Sequence, residues 1–289
     1  MIKKILHSTI VKIIIGFVVI LAAYFLSSVM LNDILRAYKE IQIARLIIIP
    51  IISIIFVLVS YIALYRYYER RKITELSTRN IGKYLLVGLL LGLLVPSLSI
   101  LVPYLRGEYI ILSISNVTSI FLRDFAISIG FVIATAVFEE VLFRGVMFRL
   151  IEEKLGSYLA LIISSLIFGF SHLIFGGAFF AGFAVSIISI ILTAAYMYTR
   201  NLWFPIAIHF AWNFAQGNIF GTPVSGNPES TSIIVSQLEG SKWFTGGVWG
   251  IEATIQIVVL SLLAGTILLV LNRKKGNIIK QQVLQVKTK

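Results

Sequence analysis

The chain reads as an all-α, polytopic membrane protein of eight transmembrane helices, with the N- and C-termini both cytoplasmic. Three observations predict this. Hydrophobic residues make up 58% of the sequence and charged residues only 13%, about half the charged share of a soluble domain. Several stretches of about 20 residues contain no Asp, Glu, Lys or Arg, which is the length that crosses a hydrocarbon core of roughly 30 Å. The basic residues, finally, are distributed unevenly between alternate connections.

The uncharged stretches Ile13–Asn32, Leu46–Tyr65 and Tyr84–Leu105 predict the first three helices. Lys3 and Lys4 ahead of the first resemble the start of a signal peptide. The apolar run continues through Val29-Met30-Leu31, however, and no Ala-x-Ala-like site follows, which predicts an uncleaved helix. Arg123–Arg149 supplies a fourth span. The uncharged residues between Lys154 and Arg200 suffice for two more, separated at Gly176–Gly177. Asn201–Pro228 supplies a seventh and Ala253–Asn272 the eighth. The turn-forming run GTPVSGNPESTS predicts that Gly217–Trp249 is an irregular outer loop. This divides the chain into residues 1–117 (helices one to three), 118–217 (a core of helices four to seven) and 218–289 (outer loop, helix eight and a basic cytoplasmic tail).

The net charge of +12 invites a nucleic-acid reading, and its placement argues against one. In the eight-helix arrangement all but six of the 25 Lys and Arg fall on the cytoplasmic side; the six are Arg36, Lys39, Arg45, Arg106, Arg123 and Lys242. That is the positive-inside asymmetry. The partner implied is the lipid bilayer with its anionic headgroups, not nucleic acid. The absence of cysteine excludes disulfides and thiolate catalysis.

An ionisable residue at membrane depth costs at least about 2.5–3.5 kcal/mol and marks a candidate functional site. Glu139, Glu140 and Arg144 lie on the fourth span, His172 on the fifth, His209 and Asn213 on the seventh. His7 falls in the N-terminal segment and is read as exposed and inert. At about 100° per residue, Glu140 and Arg144 share a helix face at the spacing favoured for an ion pair. Glu139 points about 140° away from Arg144, so the arginine holds Glu140 and leaves Glu139 as a candidate general base. Depth counting brings the histidines to the same level. Glu139 lies 16 residues before Leu155 and His172 lies 16 after Gly156, on the two limbs of one hairpin. His209 is nine residues past Arg200, roughly 13 Å along a helix. This leaves the fifth span short beyond His172. Trp203 and Trp212 are read as interfacial belt residues.

Glu139-Glu140-x-x-x-Arg144, Phe168-x-x-x-His172 and His209-x-x-x-Asn213, in this order and each on a predicted span, resemble the three-motif signature of the CPBP intramembrane proteases. That family includes the CAAX prenyl endopeptidases and the bacteriocin-processing and Abi proteins. The resemblance covers roughly Ile120–Gly217. It implies an intramembrane endopeptidase acting near the C-terminus of a prenylated or other membrane-bound protein substrate, with the active site facing the cytoplasmic side. Carried over, Glu139 activates water with help from His172, while His209 and Asn213 bind the oxyanion. Glu140, Arg144 and Phe168 support the site.

Glu139, His172 and His209 would also make a Zn2+ set with water as fourth ligand. HExxH is absent and one glutamate would serve both as ligand and as base, so the metal-free mechanism is preferred. Two other functions are open. One is a catalytically silent Abi-like immunity or scaffold protein, against which stands a complete signature. The other is an ion- or proton-coupled transporter, for which the expected inverted repeat is absent.

Overall fold

A long apolar segment in lipid must satisfy its backbone groups internally, which selects helix. A computed structural model of the protein describes residues 8–38, 42–175, 179–228 and 231–281. The readings of His7, of the Gly176–Gly177 break and of the tail beyond Gln281 lie outside the described residues. Among the described residues, six helical stretches are long and apolar enough to cross a membrane. They are α1 (Thr9–Arg36), α2 (Ile43–Tyr68), α3 (Ile81–Leu105), the 53-residue stretch Ser119–Ser171, α6 (Phe179–Thr199) and a stretch containing α8 (Ile255–Lys275).

The 53-residue stretch comprises α4 (Ser119–Glu140), a wide π-helical section Val141–Phe148, and α5 (Arg149–Ser171). Its direction breaks at Gly156, where φ is 77°. Any Cβ there would also lie 2.7 Å from the Gln281 backbone, so both the backbone angle and the space require glycine. α7 (Trp203–Asn213), with its π-helical continuation Phe214–Ile219, is too short to be counted among the six. Helix starts are marked by Ser8, Thr118 and Thr254, whose hydroxyls accept from backbone N–H groups of the first turn.

The fold is mostly helical, as expected, and carries one small sheet among the described residues. Tyr109–Ile114 (β1) pairs antiparallel with Ile234–Leu238 (β2), in a register running from Tyr109↔Leu238 to Ile114↔Ile234. The outer loop is therefore not wholly irregular. The pairing joins segments more than 100 residues apart, and no local turn signal could announce it.

α6 is the central helix: 72% of its most apolar window is buried, against 33% or less in the other stretches. It packs against α5 and α8, while α3 packs against α7. The peripheral helices turn large apolar side chains outward, as Ile10, Ile14 and Val18 do on α1 and Val259, Leu263 and Ile267 on α8. That exposure suits lipid. The α5–α6 contact depends on Gly169, where a Cβ would lie 2.1 Å from Ser186 Oγ and 2.3 Å from the Gly182 carbonyl. Gly169→Ala is expected to cost about 1–3 kcal/mol by overpacking, read as a lowered melting temperature in detergent. Gly82→Ala, with nothing within 4 Å of the added carbon, is the neutral control.

One end of the molecule gathers several connections through ion pairs. Arg149 bridges Glu69 at 3.1 Å, Arg200 pairs with Glu152, and Leu202 N donates to the Glu75 carbonyl at 2.8 Å. Glu75 is buried, which alone would raise its pKa. Hydrogen bonds from Arg71 and Tyr61 outweigh burial and bring the carboxyl down to about 2. A folded-state value below the unfolded one means stabilisation present above about pH 4.5 and lost as pH falls towards 2. Glu75→Gln should therefore lower the melting temperature at pH 7, with the difference from wild type shrinking below pH 4.5.

Candidate active site

α4 brings Glu139 and Glu140 to its last turn, just before the helix widens at Val141. The wide section leaves the Gly145 carbonyl to side chains: Tyr61 and Tyr65 hydroxyls donate to it at 3.3 Å and Arg149 Nε at 3.2 Å. The constant 100° step used for the sequence reading thus fails after Glu140. The Glu140–Arg144 pair forms nonetheless, at 2.8 Å, with both side chains buried. Arg144 is held further by α6. Its Nη2 donates to Ser189 Oγ at 2.6 Å and to the Ser189 carbonyl at 3.2 Å, its Nε to Thr193 Oγ1 at 3.3 Å, and the guanidinium lies 4.6 Å over the Phe168 ring.

His172 follows α5 directly. Its Nδ1 is 2.8 Å from the Phe168 carbonyl, which can only accept, so Nδ1 carries the proton and Nε2 is turned towards Glu139. His209, in the middle of α7, has Nδ1 2.9 Å from Glu140 Oε1. The Nε2 atoms of His172 and His209 stand 4.0 and 3.8 Å from the same atom, Glu139 Oε2. That oxygen has no hydrogen-bond partner among the described residues. Asn213, one turn beyond His209, lines the same cavity.

The two glutamates have different surroundings. Glu140 is fully enclosed and bonded to Arg144 and His209, whereas Glu139 keeps 17% of its side chain exposed. That exposed portion faces a cavity of about 960 Å³ walled by α1 and α4. Phe17, Leu21 and Tyr24 line one side, Ile127, Phe131 and Phe138 the other, with Tyr24 and Phe138 stacked at 4.2 Å. A mostly apolar cavity with placed polar groups, here including Glu139, His172, His209 and Asn213, is the usual form of a ligand site.

The residues singled out in the sequence, Glu139, Glu140, Arg144, Phe168, His172, His209 and Asn213, therefore converge. Glu140 does more than pair with Arg144, since it also fixes the His209 ring. Trp212 is not an interfacial residue: it is buried and donates from Nε1 to Gln216 Oε1 at 3.2 Å. Sequence reasoning missed Ser189 and Thr193, although two hydroxyls at i, i+4 on an apolar helix are a readable signal. It also missed Glu252, a buried carboxylate in the segment Gly247–Ala253, whose Oε2 accepts from Ser225 N and Ser225 Oγ, both at 2.8 Å. Among the described residues no group of three or more His, Cys, Asp and Glu side chains is arranged to hold a metal ion. Glu139, His172 and His209 do not make such a set.

Compared with models of known families, residues 121–215 match the family described as type II CAAX prenyl endopeptidase Rce1-like. The matched segment contains all three motifs and nearly coincides with the stretch whose resemblance the motifs defined. Neither the curated proteins nor the solved structures yield a match.

Proposed function

Taking residues 121–215 as the CPBP-family core of a multi-pass membrane protein, we propose that the chain is an intramembrane endopeptidase. Its substrate is a membrane-associated protein of the prenylated CAAX type, cut near the C-terminus. The observation that carries this reading is Glu139 Oε2, unbonded and facing two imidazole Nε2 atoms at the end of an apolar cavity.

Separations of 3.8–4.0 Å are too long for direct hydrogen bonds and suit contact through a water. Glu139 takes a proton from that water, whose oxygen then attacks the scissile carbonyl carbon. His172, whose Nδ1–H is given to a backbone carbonyl, turns Nε2 towards the same water and orients it. His209 has the opposite task. Glu140 can only accept, so His209 Nδ1 carries a proton, and Nε2 donates to the oxyanion when the ring is doubly protonated between its carboxylates. Asn213 supplies the second donor. As the tetrahedral intermediate collapses, the C–N bond breaks and the proton on Glu139 passes to the leaving amine. No step needs a metal.

The apolar cavity suits a lipid chain attached to the substrate. Eight passes with cytoplasmic termini and a cytoplasm-facing site fit the clustering of basic connections at one end. The test is cleavage by purified protein in liposomes. The substrate is a fluorogenic peptide ending in a prenylated Cys-aliphatic-aliphatic-X sequence, run beside its unprenylated form and with a strong chelator. The expected result is chelator-resistant cleavage of the prenylated peptide. No cleavage of either peptide would overturn the reading, and chelator-sensitive cleavage would overturn its metal-free chemistry.

A further inference from the structure

Glu252 is a buried carboxylate that the hydrolytic steps above do not use. It is 5% exposed, and burial at that depth demands partners. Among the described residues its hydrogen bonds run to Ser225 N and Oγ, both at 2.8 Å. Ser225 has φ of 48°, a left-handed conformation that a non-glycine residue keeps only when its surroundings impose it. The turn around it is closed by reciprocal backbone bonds between Val224 and Asn227 at 2.9 Å. Gly250, at φ 65°, sits so close to this region that a Cβ would lie 2.2 Å from the Pro223 carbonyl. A strained turn is thus docked onto the segment that carries Glu252.

The turn stands beside the proposed chemistry. Val224 and Ser225 line the large cavity together with Glu139. Ser225 and Glu252 also line a second chamber, which reaches His172, His209 and Asn213 and is otherwise apolar, with Ile188, Leu192 and Trp212 in its wall. The chamber has a volume of about 20 Å³ against about 960 Å³ next door. The smaller space holds little more than a water or a methyl-sized group.

We infer that Glu252, by clamping the Ser225 turn, is a positioning residue that keeps this chamber small and thereby sets specificity for the substrate residue following the scissile bond. The inference rests on the protease reading: with the lipid-bearing side in the large cavity, the residue across the bond meets the chamber. Small side chains fit there and bulky ones do not.

The experiment uses two matched substrates, with Ala or Phe after the scissile bond. Wild-type protein is expected to favour Ala by at least about tenfold in kcat/KM. Glu252→Ala should bring that ratio towards unity, chiefly through KM for the Phe substrate. Glu252→Gln should restore it, because an amide oxygen still accepts from Ser225. A general loss of folding is recognised separately, as a lowered melting temperature with both rates reduced. Ser225→Ala, which removes one of the two bonds, serves if Glu252→Ala does not fold.

The chain lacks cysteine, so a single Val224→Cys reports on the turn directly. Maleimide labelling should be faster with Glu252→Ala than with Glu252 or Gln. An active wild type whose Ala/Phe ratio is unchanged in Glu252→Ala, or an unchanged labelling rate, overturns the inference and leaves the protease standing. An inactive wild type overturns the proposed function, a result that the labelling, independent of cleavage, distinguishes from failure of the clamp.

Discussion

Glu139→Gln is expected to lower kcat by about 10²–10⁴-fold, the range carried by a positioned acid–base group, while leaving the melting temperature almost unchanged. The substitution keeps shape and removes the basic oxygen. Among the described residues its pairs are to the two imidazoles, at 4.0 and 3.8 Å, and none is to Arg or Lys. Glu140→Gln should behave differently. An amide oxygen at 140 can still accept from His209 and Arg144, so the geometry survives, and activity falls less because only the charge behind His209 is gone. Single-turnover kinetics on both variants, with melting curves alongside, measures the division of labour. Equal losses in both, or cleavage by Glu139→Gln at the wild-type rate, would remove Glu139 from its assigned role.

Arg144→Ala is expected to destabilise the fold by about 3–5 kcal/mol, the cost of leaving one partner of a buried ion pair alone. Glu140, Ser189 and Thr193 each lose a partner, and the space under Phe168 empties. Lysine should not rescue it, because a single ammonium cannot reach three acceptors set out for a planar fork. Replacing the pair together, Glu140→Gln with Arg144→Met, should recover most of the loss, since removing both charges removes the desolvation problem. The readout is the yield of monodisperse protein and its melting temperature in detergent. Recovery in the double variant with activity still impaired would separate the pair's structural contribution from its hold on His209.

The depth count illustrates what can be read without coordinates. Equal distances from the hairpin tip placed Glu139 and His172 together, and they stand 4.0 Å apart. The two positions meet even though the first limb contains the wide section Val141–Phe148. The angular argument was less secure. It assumed uniform helix through Arg144, and the chain widens at Val141. Even so, the i, i+4 pair forms, drawn together by charge in a medium of low dielectric. Trp212 was misread because a tryptophan near a helix end carries the same local signal at a membrane interface as in a core.

The sequence by itself determined the solvent, the helical character and the pairing of Glu140 with Arg144. Each depends on composition or on short spacings, which bilayer thickness and helix geometry translate directly. Only the tertiary structure decided that Glu140 also orients His209, that Ser189 and Thr193 complete the arginine's cage, and that β1 finds β2. It alone brought Glu252 from the segment before the last helix to the edge of the site. These contacts join residues from 45 to more than 100 positions apart. No periodicity spans such distances, and only the packing of the elements against one another selects the partners.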